Sequence, residues 1–449
     1  RPQDIEWAYA HGQFFILQAR DITTPAAEGE SALAIMETER QRLLRLALGE
    51  SDFEKTIYAQ NELAELLPRP TPMSLSLMES LWSCGGATDI ACSMLGIPYD
   101  VHDDSPPYIL TLFGSLYVNS AEGARRISKG TGALASFRLS RQADEIRKSF
   151  FDEFLPKFQK EMRLREAIEH SRLSAAELIQ LFDEWRTQFV AEVYVHAETI
   201  NIASDFYLKT AERALKKHGL DPAVYLGSGP ETIMQRAYAL LPEIKNSRRP
   251  LSDFLELYGH RALHDYELSE QRYNEHPESL NVLVQTAVMT APLQQTELPK
   301  SKYLKAVVER AQLFQCLKED AKHHCIRALA SLRPLLIELD KRLQLDGGIF
   351  YLRSEEISTL LPSNIDSAKK NIQSRRQHDM AFKAATIPTE LSVLKLEKMT
   401  FDSTGRINSS FTNTGALSGK RVSGHAEIIG HVRVMEHPDA AGSFQDGEI

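Results

Sequence analysis

Cysteine is scarce in this chain, with four among 449 residues, too few for a disulfide-stapled extracellular scaffold. A basic excess is also missing. Fifty-two lysines and arginines stand against 61 aspartates and glutamates, a net charge of -9, so the electrostatic footprint of a nucleic-acid binder is not there. No apolar run reaches the length of a membrane span. The best stretch, Val282 to Leu293, is interrupted by Gln285 and Thr286. Internal repeats and low-complexity tracts are likewise not recognisable. These absences predict a cytoplasmic protein with neither a nucleic-acid nor a membrane partner. What is present is ordinary globular composition, 43% hydrophobic and 25% charged, at a length that supports two or three cores.

Residues 1–23 read as strand, turn, strand. Asp4 to Tyr9 alternates in polarity, His11-Gly12 makes a turn, and Gln13 to Gln18 is a second strand. A polar linker follows at 24–30. Helix dominates from there to about residue 345. Ser174 with Glu177 forms a capping box. Leu178, Leu181, Phe182, Trp185, Phe189 and Val193 follow at the helical period. This helix runs without Gly or Pro to His218, with Gly219 as its stop, a rod on the order of 65 Å or a kinked pair. A second long helix spans about Ser301 to Leu345, and Pro334 is expected to bend it. Prolines and glycines between 65 and 120 predict mostly loop. Residues 401–417 read as a polar linker, and strands are expected again from Ala426 to Val434. Both ends are expected to be cuts through folded domains. Two strands alone make no stable domain, and Gln445-Asp446-Gly447-Glu448-Ile449 reads as the opening of a new element.

The first strand pair carries Glu6, Gln18 and Arg20. Gln18 and Arg20 share a strand face, and Glu6 can lie opposite. A carboxylate, an amide and a guanidinium suit a magnesium-nucleotide, although composition alone favours a polar strand face with a surface ion pair. Asp4-Ile5-Glu6-Trp7-Ala8 and Gln13 through Thr23 resemble the closing hairpin of the ATP-grasp domain in the phosphoenolpyruvate synthase, pyruvate phosphate dikinase and rifampicin phosphotransferase family. Its end signature is Leu-Gln-x-Arg-Pro-x-Thr, with Asp21 here replacing proline. The resemblance implies Glu6 as a magnesium ligand, and Gln18 and Arg20 as contacts to ATP phosphates. The cofactors it implies are thus ATP and Mg2+.

The other end is similar to the start of that family's swivelling phosphohistidine domain, through Leu417-Ser418-Gly419, Ala426-Glu427, Val432-Arg433-Val434 and Gln445 to Ile449. The family's carrier histidine is expected beyond Ile449, and His425, His431 and His437 do not match its Ser-His-Ala context. The helical stretch between the two ends resembles the arrangement in rifampicin phosphotransferase. Supporting matches are Glu65 to Ser74, Gly114-Ser115-Leu116-Tyr117-Val118-Asn119, Gly259-His260-Arg261-Ala262, and Ile349-Phe350-Tyr351-Leu352 with Glu355-Glu356. The implied fold is mainly α. The end of an ATP-grasp domain occupies 1–24, a helical acceptor-binding domain 30–400, a linker 401–417, and the start of a phosphohistidine domain 418–449.

His260, Arg261, Asp265, Glu267 and Arg272 concentrate polar and charged groups in one short segment. They either anchor an acceptor pocket or form a buried ion-pair network that pins the loop to the scaffold, and the second reading is favoured. In the family pattern Gln271 stands for proline and Tyr273 for tryptophan. Lys318 and Lys322, four apart on the second long helix, share a face. They are either a solvated charged face or, by resemblance to an Arg-Glu-x-x-Lys pattern, a clamp on the incoming phosphoryl group. Cys316, His323, His324 and Cys325 nearby do not suit a metal, since adjacent helical histidines diverge by about 100°. Two functions are then expected. In one, an ATP-dependent phosphotransferase moves the β-phosphoryl through a histidine to a small acceptor such as pyruvate or an antibiotic hydroxyl, and this chain alone is inactive. In the other, a diverged member binds a ligand or partner without transfer.

Overall fold

A computed structural model gives the fold. It describes residues 3–10, 13–21, 31–48, 57–127, 132–227, 229–287, 298–360, 364–383, 385 and 387–408. The expected strands at 426–434 and the three C-terminal histidines lie outside the described residues.

Strands β1 (Gln3–Ala10) and β2 (Gln13–Asp21) pair antiparallel, as the alternating polarity predicts. From α1 (Ala32–Leu48) onward the chain is mainly helical. Its principal helices are α2 (Pro72–Leu81), α3 (Ala87–Leu95), α4 (Ala175–Gln188), α5 (Tyr194–Lys217), α6 (Lys302–Leu343) and α7 (Ile365–Lys383).

The stretch from 65 to 120 departs from the expected loop. Its prolines and glycines delimit short elements instead of preventing them. Pro72 takes the first position of α2, where a missing N–H costs nothing, and the Thr71 hydroxyl caps the helix. Gly96 closes α3 in the left-handed conformation, φ +68°. Strands β4 (Ile109–Leu112) and β5 (Ser115–Asn119) form a hairpin. They join β3 (Ile57–Ala59) and β6 (Glu390–Ser392) in an antiparallel sheet ordered β4-β5-β3-β6. This sheet closes a small core with α1 through Met36, Leu43, Phe113, Tyr117 and Leu391. Residues 401–408 make a turn closed by a Phe401–Ile407 bridge, with Phe401 against that core.

The main core lies where α2, α4, α5 and α6 meet. The capping box at Ser174 and Glu177 is formed, and Gly219 follows α5 at φ +70°. Between α4 and α5 one π-helical turn, Phe189–Val193, keeps the rod continuous and turns Phe189 and Val193 inward. Such turns often sit beside functional sites. Tyr207 of α5 packs on Phe314 of α6, ring centres 4.5 Å apart, and the Gln315 amide donates to the Ser204 hydroxyl at 2.8 Å. Pro334 is accommodated inside α6 on its exposed face. Among the described residues no helix is long and apolar enough to cross a membrane.

Candidate acceptor site

The π-helical turn delivers Tyr194 and Glu198, one helical turn apart, into a cavity of about 630 Å³ between α5, α6 and the helix Glu62–Leu66. Four aromatic rings wall it: Trp82, Tyr108, Tyr194 and Tyr266. Trp82 lies 5.8 Å from Tyr108 and 6.1 Å from Tyr194, between ring centres. A buried ion pair supports this wall. Arg126 bonds Glu122 at 2.6 Å, donates to the carbonyls of Trp82 and Pro106, and lies over the Tyr108 ring. Lys318, Glu319 and Lys322 enter the cavity from α6. The helical spacing read from the sequence therefore does bring the two lysines to one face. Neither ammonium is within ion-pair distance of a carboxylate among the described residues, and both side chains are half-buried.

Glu198 is the cavity's unusual group. Its carboxylate is buried, and among the described residues it has only a long contact from the Thr88 hydroxyl at 3.5 Å and one from the Asn201 amide at 3.3 Å. Burial pushes its pKa up. Those two hydrogen bonds and the charge of Lys318 pull it partly back. A carboxyl poised this way can accept a proton from a hydroxyl at working pH. Burial also raises the Tyr194 and Tyr266 phenols, keeping them neutral donors, and raises the Cys325 thiol, which removes it as a nucleophile.

The loop 259–276 forms a network of its own. Arg261 donates from Nε to Asp265 at 2.7 Å, and its guanidinium stacks over Tyr258. Arg272 donates to the backbone carbonyls of Asp265 and Glu267, at 3.0 and 3.2 Å. Glu267 reaches the start of α2, accepting from the Thr71 backbone and hydroxyl and from the Ser74 hydroxyl. Arg333 of α6 ties in Glu275 and the Leu268 carbonyl. Arg261, Asp265 and Arg272 are thus buried in the loop's own network and not in the wall that holds Lys318. Of the two departures noted in the sequence, Gln271 is exposed, and the Tyr273 ring stacks parallel to Tyr258. His260 is half-buried, with its Nε2 atom buried and without a hydrogen-bond partner among the described residues, and its ring lies edge-on to His323 at 4.5 Å. Burial holds His260 well below the usual imidazole range, His323 at about 3 and His324 at about 4. Among the described residues no cluster of His, Cys, Asp or Glu side chains is placed to hold a metal ion.

At the other sequence-derived site, the strand register sets Glu6 opposite Gln18 and Asp4 opposite Arg20, with an irregularity after Glu6. The register therefore brings the carboxylate and the amide to one rung.

Glu198 and the aromatic walls were not singled out in the sequence. The available signal was an acid on an apolar helix face: Tyr194, Val195 and Glu198 continue the buried stripe toward Ile200, Ala203 and Tyr207. No curated protein matches the chain. Residues 209–333, which run from α5 through the loop 259–276 to Arg333 and include both lysines, match the family model described as the rifampicin phosphotransferase fourth domain, and that likeness supports kinship with the phosphotransferases of this type.

Proposed function

We propose that the helical body is the acceptor-binding part of an ATP-dependent phosphotransferase, in which a phosphohistidine delivers the ATP β-phosphoryl to a hydroxyl or enolate of a small molecule. The observation that carries this is the convergence of a buried, poorly satisfied carboxylate and two lysines on one aromatic-walled cavity. Lys318 and Lys322 would neutralise the oxygens of the transferring phosphoryl group. Glu198 would take the acceptor's proton. The rings would hold an apolar body and exclude water. ATP and Mg2+ would belong to the nucleotide domain of the phosphotransferase proposed here, with Glu6 on the metal and Gln18 and Arg20 on the phosphates.

A cavity of about 630 Å³ suits a drug-sized ligand, which favours a bulky hydroxylated acceptor of the rifamycin kind over pyruvate. Trp82 in the wall offers a direct readout. Titration with rifamycin SV should quench tryptophan fluorescence saturably. Trp82→Phe should remove most of that change, and Tyr194→Ala should weaken binding. Absence of saturable quenching, or quenching unaltered by both substitutions, would refute this acceptor and this pocket.

A further inference from the structure

A second cavity, of about 580 Å³, opens between α1, the segment 69–72 that leads into α2, and α7. It shares no lining residue with the cavity of Lys318 and Glu198. Its acids are already engaged. Glu39 takes two bonds from Arg42, at 2.7 and 2.8 Å. Glu267 accepts from Thr71, Ser74 and Ser269. Glu270 accepts from the His264 backbone at 2.9 Å, and Asp379 from Tyr351 and Lys383 at 3.0 and 2.9 Å.

Arg69, by contrast, has unpaired donors. Its Nε and Nη2 are buried and have no hydrogen-bond partner among the described residues. The guanidinium lies against Gly114, at φ +76°, where an added Cβ would come within 3.2 Å of Nη2. The backbone there leaves room for the guanidinium and supplies it with no acceptor. A buried donor pair without acceptors is costly to maintain, and a fork of two N–H groups fits two oxygens of one anion. Ile35, Leu75 and Phe382 supply apolar surface beside it.

We infer that this cavity is a second ligand site, for a small molecule carrying a carboxylate or phosphate group on an apolar body, with Arg69 as its anion-binding residue. The inference stands apart from the proposed phosphoryl transfer, since no residue of that site takes part.

The test is calorimetric titration of the whole chain with phenyl phosphate and with benzoate, at matched ionic strength. At least one should bind saturably, and the stronger of the two identifies the anion. Arg69→Met keeps the stem, removes the unpaired donors and should weaken binding by roughly tenfold or more. The Lys318→Ala/Lys322→Ala variant should bind as the unmodified chain does. In the unmodified chain, whichever of phenyl phosphate and benzoate binds should protect Arg69 from phenylglyoxal, read by peptide mass, which needs no variant to fold. No saturable binding of either probe, affinity unchanged by Arg69→Met, affinity lost with the two lysines, or no protection of Arg69 would each overturn the site.

Discussion

Glu198 on α5 and Lys318 on α6 line one cavity, and burial raises the carboxyl pKa more than the Asn201 and Thr88 hydrogen bonds and the Lys318 charge lower it. The pairing is incomplete. No ion-pair contact joins them, so the carboxyl stays poised above its ordinary range. Burying a carboxyl with so little compensation is a cost to the folded protein.

Glu198→Gln keeps the shape and removes the charge. A raised folded pKa means that Glu198 supports stability fully below its unfolded value, about 4.3, and that this support is lost as pH rises through the folded value. The variant should therefore gain in Tm, more at pH 8 than at pH 4. Transfer to the acceptor in the intact enzyme should fall by about 10²–10⁴. Thermal melts at the two pH values and single-turnover assays measure both effects. A variant that loses stability at pH 8 would contradict the assignment.

Arg261 and Asp265 should prove structural. Both are buried, at 7% and 6% exposure, so Arg261→Ala leaves an unpaired carboxylate inside the loop. The expected loss is about 3–5 kcal/mol in urea unfolding. A loss below about 1 kcal/mol would show that the network does not hold the loop.

His324 packs near Phe150 and Phe158 as a neutral ring. Its folded pKa is depressed, to about 4. Its contribution is thus present above the unfolded value, about 6.5, and is lost as pH falls through the window between them. The slope there approaches about 1.4 kcal/mol per pH unit. His324→Leu should flatten the fall in stability between pH 6.5 and pH 4. Parallel denaturation curves at several pH values test this, and an unchanged slope would contradict the buried neutral state.

Local signals carried much of the fold. Ser174 with Glu177 and the apolar period after them predicted where α4 begins, and Ser301 does cap α6. Long-range pairing was not legible. Strands β3 and β6 are three residues each and come from distant parts of the chain, so neither carries enough alternation to be read alone. The proline-rich segment misled for a related reason. Proline forbids helix interiors but favours the first helical position, and only the Thr71 cap distinguishes the two at Pro72. At the site, the spacing of Lys318 and Lys322 was readable because one helix supplies both. Glu198, Trp82 and Tyr266 converge from separate segments, which no local pattern encodes.

The most direct test of the acceptor-site account separates the two half-reactions in the longer phosphotransferase proposed above to contain this chain. The proposed carrier histidine is charged with magnesium and ATP labelled in the β-phosphoryl group, and its discharge to the acceptor is then timed. The account predicts that Lys318→Ala/Lys322→Ala leaves histidine labelling near normal and slows discharge by about 10² or more. Equal slowing of both steps, or discharge at the unmodified rate, would contradict it.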